Sequence, residues 1–276
     1  MSRLRTAFLS PARLVVAVLF LAPLGVVCLY SFLTRGAYGG VGPPWSAANF
    51  VRLFDPLYAV ILIRSLLMAA CATLLCLVLA FPAAWFISRA GRRKNLYLHL
   101  VIIPFWTSFL VRTYAWLFLL RDTGLFNTVL QAVGLIREPL PLLYNDGAVL
   151  LGLVYGYLPF MVLPIYATLE RLDRNLLEAA ADLGARPWAT LTRVIVPLSA
   201  PGIRAGAVLV FIPTLGAYLT PDLMGGGKSI MIGNLIQNQF TTARDWPFGS
   251  AVSLALMVLA MLLLFGFLRR RGEELL

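Results

Sequence analysis

Six apolar runs, at approximately 14 to 33, 59 to 87, 97 to 120, 148 to 169, 202 to 220 and 248 to 268, constrain what this chain can become. A helix rising 1.5 Å per residue needs about 20 apolar residues to cross a hydrocarbon core of about 30 Å, and these runs have that length. Lipid offers no partner to a backbone N–H or C=O, so a run that crosses it satisfies itself as a helix. With 60% hydrophobic and 13% charged residues and a mean hydropathy of +0.85, the 276-residue chain lies outside the range of a soluble domain. The expectation is an all-α membrane protein with six transmembrane helices, a single domain over 1–276 whose core spans about 59–268.

A net charge of +11 raises the question of nucleic acid, and the placement of the charge excludes it. Arg3, Arg5 and Arg13 precede the first run; Arg89, Arg92, Arg93 and Lys94 separate the second from the third. Arg171, Arg174, Arg186, Arg193 and Arg204 separate the fourth from the fifth, and Arg269, Arg270 and Arg271 close the chain. Six crossings put these fifteen of the 23 basic residues on one side, so the positive-inside rule predicts that both termini are cytoplasmic. Cys28, Cys71 and Cys76 lie within runs, without metal-ligand spacing and without an even count, which predicts neither a disulfide framework nor a metal site. The first run is too long for a signal-peptide core and ends without a small-x-small cleavage pattern, so it reads as an uncleaved anchor.

The connecting segments carry their own signals. Gly39-Gly40 and Pro43-Pro44-Trp45 make 34–57 an external loop, with a short helix expected near 47–53. In 121–147, Leu125, Val129, Leu130 and Val133 form a helical stripe on the outer surface, either capping a pore mouth or lying against lipid headgroups. Pro104, Pro159, Pro164 and Pro213 each remove a backbone donor inside a span, and four together favour a bundle that moves.

No catalytic set is present. His99 has no nearby nucleophile or carboxylate and reads as an interfacial side chain. Gly225-Gly-Gly-Lys228-Ser229 ends like a phosphate-binding loop, but Asp222 stands where the first glycine belongs and the turn falls outside the cell, so ATP is not bound there. Charges inside spans are costly and therefore informative. Arg112, among Trp106 and Tyr114, is placed toward the outer face and either pairs structurally or lines a substrate path. Arg64 reads as an interface anchor. Asp222, after Tyr218-Leu-Thr-Pro221, is either a turn former before Gly-Gly or the partner of a cationic solute.

The segment between the fourth and fifth runs differs from the rest. In Glu178-Ala-Ala-Ala-Asp-Leu-Gly184-Ala-Arg-Pro187 an alanine-rich helix is stopped by Gly184 and a second restarts with Pro187 at its first position. A further break is expected at Pro197. Two short helices with small residues on their surface can sit against another protein's groove, and nothing in lipid requires them. The hairpin, 173–197, therefore points to a soluble cytoplasmic partner that acts on the chain.

Glu178-Ala179-Ala180, Leu183-Gly184-Ala185 and Pro197 thirteen residues beyond Gly184 resemble the EAA loop of binding-protein-dependent transport system inner-membrane components, the permease subunits of ABC importers. Val194 and Val196 stand where that family usually has isoleucine and leucine. Ser65-Leu-Leu-Met-Ala69 with Pro82-Ala-Ala84, Pro104-Phe-Trp-Thr-Ser108 with Arg112-Thr-Tyr-Ala-Trp116, and Phe211-Ile-Pro-Thr-Leu-Gly216 with Pro221-Asp222-Leu-Met-Gly-Gly226 are similar to the spermidine/putrescine branch. So are Ile232-Gly-Asn234-Leu-Ile-Gln237 and Asp245-Trp-Pro-Phe-Gly249. Many polyamine permeases carry an acid directly after the glycine of the fifth span; here that position is Ala217, which weakens the case for a polycation.

The resemblance implies a bacterial inner-membrane permease subunit that is no enzyme and holds no cofactor, since ATP and Mg belong to its partners. It implies a second, homologous permease in a heterodimer, two cytoplasmic ATPase subunits, an external substrate-binding protein and surrounding lipid. Glu178, Ala179, Ala180, Leu183, Gly184 and Ala185 become the ATPase-coupling residues. Trp106, Arg112, Tyr114, Tyr218 and Asp222 become candidates for the substrate path, with a polyamine or related organic cation as solute. An amino-acid-derived or opine-like solute and an ion-coupled secondary transporter are the alternatives, although the latter would need mid-membrane acids and an internal repeat, and neither is seen.

Overall fold

The computed structural model describes residues 2–269, with the side chains of 13–173 and 175–267; Arg270, Arg271 and the rest of the basic tail expected at the cytoplasmic side lie outside the described residues. The chain runs through α1 (Ser2–Ser31), a two-stranded antiparallel ribbon of β1 (Thr34–Arg35) and β2 (Val41–Gly42), α2 (Ala48–Arg52), α3 (Pro56–Arg89) and α4 (Lys94–Ile102). It continues as α5 (Phe109–Leu120), α6 (Leu125–Ala132), α7 (Asp146–Glu170), α8 (Arg174–Asp182), α9 (Pro187–Thr190), α10 (Val196–Leu215), α11 (Leu219–Gly225), α12 (Ile232–Thr241) and α13 (Trp246–Arg269). Among the described residues, five helical stretches are long and apolar enough to cross a membrane, and a bent helix pair raises the number to six.

That bent pair corrects the continuous third span expected at 97–120. The helices on either side of Thr107-Ser108 meet at 89°. Ile103–Trp106 is a 3-10 turn containing Pro104, Thr107 is extended at φ −77° and ψ 151°, and Ser108 begins α5 from an extended conformation. The Thr107 hydroxyl donates to the Pro104 carbonyl at 2.7 Å, so a side chain satisfies an acceptor at the break. Pro104 thus ends a helix, whereas Pro159, Pro164 and Pro213 lie within helices.

The expected break at Pro197 is absent. Helix runs unbroken from Pro187 to Leu215, and Pro197 is near the start of α10. Proline removes the donor that the Arg193 carbonyl would use, and a π-turn at Leu191–Ile195, which shifts bonding to wider rings, lies at this point. The same helix ends at Leu215, short of the expected 220, and Tyr218 lies beyond it.

The chain forms two compact units, 1–60 with 235–276 and 61–234. In the first, α1 and α2 pack on α13. The Arg52 Nη1 donates to Asp245 Oδ2 at 2.8 Å and its Nε to the Tyr58 hydroxyl at 3.2 Å, and its guanidinium stands 3.9 Å over the Phe248 ring. Asp245 also accepts from the Phe248 N–H at 3.3 Å, capping α13, and is 7% exposed. Asp245→Asn should therefore destabilise this unit by about 1–2 kcal/mol through the lost ion pair and weaker cap, read as a lower Tm of the purified protein in detergent.

The second unit is organised around α7. Val149, Leu153, Met161, Val162 and Ile165 are buried along it. On its two sides the packing depends on glycines spaced four apart. A β-carbon at Gly202 of α10 would lie 2.5 Å from the Pro164 carbonyl oxygen, and one at Gly206 would lie 2.7 Å from Met161 Sδ. On α7 itself, a β-carbon at Gly152 would lie 2.6 Å from Met224 Sδ and one at Gly156 2.7 Å from the Phe109 ring. In lipid no hydrophobic force drives helices together, so close backbone approach through small residues supplies the van der Waals energy. Both places carry the Gly-x-x-x-Gly spacing that such packing uses.

Candidate functional site

The hairpin is built by local chemistry. Asp173 accepts from the Asn175 N–H at 3.0 Å and starts α8. At the other end Gly184 has φ +75°, the Gly184 N–H bonds the Ala181 carbonyl at 2.8 Å and the Ala185 N–H bonds the Ala180 carbonyl at 3.0 Å. This pair of bonds closes the helix through a left-handed glycine and ties down two end carbonyls. Arg186 then leads into Pro187 at the first position of α9.

Of the six residues expected at the hairpin contact, Ala180 is buried, Ala185 is half-buried, and Glu178, Ala179, Leu183 and Gly184 are exposed. Leu183 is 89% and Trp188 73% exposed, a large apolar surface for a segment between spans. A cavity of about 470 Å³ lined by Arg89, Leu177, Glu178 and Ala181 separates α8 from the end of α3. Arg89 stacks over Trp85 at 4.0 Å, and Lys94 pairs with Glu170, which ties α4 to the last turn of α7 at the same end.

The five path candidates do not form one cluster. The Asp222 N–H bonds the Tyr218 carbonyl at 2.9 Å within a helical turn, and among the described residues no side-chain hydrogen bond, ion pair or ring contact joins any two of the five. Trp106 is 78%, Tyr218 46% and Tyr114 42% exposed. Asp222 is exposed in the first turn of α11, where a carboxylate suits the helix dipole. It is not in a turn; the turn falls at Gly226 and Gly227, with φ +58° and +75°. The Arg112 guanidinium stands 4.2 Å over Phe105, which stacks on Tyr155 of α7 at 5.9 Å.

Two further groupings have no signature in the sequence. At the Asp146 end of the unit, Arg64 donates to both Asp146 carboxylate oxygens, at 2.6 and 2.8 Å, and to the Lys228 carbonyl at 2.9 Å, while the Ser229 hydroxyl donates to the same carboxylate. Ser65 Oγ accepts from the Ile232 N–H at 2.7 Å, and Asn234 donates to the Tyr218 carbonyl at 2.8 Å. The Gly225–Ser229 segment that imitates a phosphate loop is thus a bracket fastening α11 and α12 to α3 and α7. Arg64, expected to be an interface anchor, is a member of that bracket, eight residues inside α3. The other grouping is aromatic: Phe105, Tyr155, Trp116 and Phe126 follow one another at 5.9, 5.4 and 6.4 Å between ring centres. The members of both groupings come from distant helices, so no short pattern encodes them.

Among known proteins, the family described as binding-protein-dependent transport system inner membrane component matches residues 72–273. The chain is 46% identical over 240 residues to the spermidine/putrescine transport system permease protein PotB of Escherichia coli (strain K12), with 87% of each covered. It is 37% identical over 281 residues to the inner membrane ABC transporter permease protein YdcU of the same organism, covering 92% of this chain and 88% of the relative. Its fold is similar to a chain of the bacterial alginate ABC transporter solved in complex with an alginate pentasaccharide-bound periplasmic protein, with a TM-score of 0.78, 16% identity, and 96% and 92% of the two chains covered.

Proposed function

The chain belongs to the family of binding-protein-dependent transport system inner-membrane components, and from that membership we propose that it is the polyamine permease of its importer. It is a multi-pass bacterial inner-membrane protein and a transport subunit, and the ATP that drives import is hydrolysed elsewhere. The observation that carries the polyamine assignment is the 46% identity to PotB across 87% of both chains. The family sets aside the ion-coupled secondary transporter.

In this reading 1–276 is one permease domain that pairs with a second, related permease, with two ATPases beneath and a binding protein outside. The Arg89 end of α3, the Lys94–Glu170 pair and the hairpin at 173–197 face the cytoplasm together with both termini, as the basic residues clustered there support. Glu178, Ala179, Ala180, Leu183, Gly184 and Ala185 meet the ATPase; the exposed Leu183 and the left-handed stop at Gly184 support this. ATP binding closes the ATPases, and the hairpin moves with them between two states of the bundle.

Trp106, Tyr114 and Tyr218 offer aromatic faces to an amine, and Asp222 offers a charge. Asp245 is not available for that role, since Arg52 already neutralises it. One observation favours a second reading: the Arg112 guanidinium makes no ion pair among the described residues and would suit a carboxylate on an amino-acid-derived solute. Uptake of labelled spermidine by proteoliposomes holding the complete importer and its binding protein decides between the two. Asp222→Asn should raise the spermidine KM roughly fivefold, the value of about 1 kcal/mol for an exposed charge contact, and leave assembly intact. Unchanged kinetics would remove Asp222 from the path.

A further inference from the structure

We propose that Arg112 is a resident cation that closes this subunit's part of the translocation path to small cations, held in an aromatic cage that a substrate amine must itself use. The proposal rests on the permease reading above and adds to it a residue that decides what does not pass.

Depth is the first observation. Tyr155 is nine residues into the 25-residue α7, about 13 Å from its Asp146 end, so the Arg112 and Phe105 contact lies beside the interior of an apolar helix long enough to cross a membrane and not at either end of it. A charge at that depth is expensive and is normally found paired or facing a hydrated path. Arg112 has no pair: its Nε and Nη1 are buried and make no hydrogen bond, and its guanidinium forms no ion pair among the described residues.

What holds the charge is a set of ring faces. Phe105 lies 4.2 Å and Phe109 5.7 Å from the guanidinium carbon, and behind Phe105 the rings of Tyr155 and Trp116 continue the aromatic wall. Ring faces attract any compact or planar cation through their quadrupole, and they do not distinguish a guanidinium from an alkylammonium. One cage therefore takes one cation at a time. A carboxylate partner would have fixed Arg112 in place; ring faces alone leave it displaceable.

The position of the two rings explains when displacement happens. Phe105 and Phe109 lie on opposite sides of the 89° break at Thr107-Ser108, so Arg112 bridges the break and the cage changes whenever the bend changes. In the resting bend the guanidinium occupies the cage and repels monovalent cations, as fixed positive charges do in other pores. When the bundle changes state the cage opens, and an amine delivered by the binding protein takes the faces that Arg112 leaves.

The test uses the complete importer in proteoliposomes loaded with tetramethylammonium, a probe held by ring faces alone, without ATP and without binding protein. Arg112→Gln should raise probe efflux over wild type roughly tenfold or more, and Arg112→Lys, which keeps the charge, should stay near wild type. Phe105→Leu, which keeps Arg112 but removes its nearest ring, should leak to an intermediate degree. Wild-type tightness of both Arg112→Gln and Phe105→Leu, in preparations that retain ATPase activity stimulated by the binding protein, would overturn the proposal. So would equal leakage of the Gln and Lys variants, which would assign the effect to packing and not to charge. Spermidine uptake by the wild type is scored separately: a wild type that does not move spermidine, beside a leaking Gln variant, removes the polyamine reading and leaves the barrier standing.

Discussion

Gly202→Leu should sharply lower both the yield of folded protein in the membrane fraction and its Tm. A β-carbon there would lie 2.5 Å from the Pro164 carbonyl oxygen, 2.5 Å from Thr168 Oγ1 and 3.0 Å from the Ile165 α-carbon. Two of these neighbours are backbone, so α10 must retreat from α7 along the seam. On its other side α7 is met closely at Gly152 and Gly156 by Met224 and Phe109, so it has no slack to absorb the shift. Overpacking of this kind costs about 1–3 kcal/mol and more where backbone is involved, against a total stability of about 5–15 kcal/mol. Gly25→Leu is the matched control, because a β-carbon there meets nothing within 4 Å. Membrane-fraction yield and Tm of a fluorescent fusion should fall for the first variant and hold for the second. Equal yields would show that the Gly202 and Gly206 pair does not set the α7–α10 distance.

Gly184→Val should insert normally and lose its ATPase. A β-carbon at Gly184 would touch nothing within 4 Å, so its whole cost comes from the backbone at φ +75°. A β-branched residue in that region is disfavoured by about 1–2 kcal/mol, and it escapes by abandoning the left-handed stop. The bonds from Ala185 to Ala180 and from Gly184 to Ala181 are then lost, and α8 no longer meets α9 at the same angle. Gly184→Asn tolerates the left-handed conformation and should retain most function, which separates the backbone effect from a general intolerance of side chains. Glu178→Arg reverses an exposed charge beside Arg89 and Leu177 and should act like Gly184→Val. Pull-down of the ATPase subunit and whole-cell uptake should both drop roughly tenfold or more in Gly184→Val and Glu178→Arg cells, the factor of about 1.4 kcal/mol or greater in docking. Wild-type values in both variants would end the assignment of the hairpin as the ATPase contact.

Features governed by local rules are legible in the amino-acid sequence. Gly184 with φ +75°, Pro187 at a helix start and the short helix at Ala48–Arg52 each follow from one residue's conformational preference or from a short run. The spans at the ends of the chain likewise follow from length and hydropathy. How neighbouring signals combine is harder to read. Pro104 and Pro197 are both helix-disfavouring, yet one ends a helix and the other lies beside a π-turn inside a continuous one, so the residue type alone does not decide the outcome. Pro-Asp before Gly-Gly is good turn chemistry, but the two glycines alone make the turn and Asp222 joins the preceding helix. A charge seeks water, which points Arg112 toward the outer face; its guanidinium is held over the rings of Phe105 and Phe109, a contact that no hydropathy pattern announces. The bracket of Arg64, Asp146 and Ser229 joins residues more than 80 positions apart, which no local pattern announces.

The unbroken helix from Pro187 to Leu215 has a mechanical consequence. Its 29 residues make a continuous member about 43 Å long, with the hairpin at its base and Leu215 at its tip. A tilt of about 10° imposed at the base carries the tip about 7 Å, so, on the hairpin contact proposed above, a small movement of the ATPase would become a displacement of solute size without any element in between. The π-turn at Leu191–Ile195 fixes the rotational phase of this lever, because one inserted residue turns everything beyond it by about 100°. The glycine edge at 202 and 206 faces α7 only in that phase, which makes the π-turn the part that aligns the drive surface of the lever with its bearing.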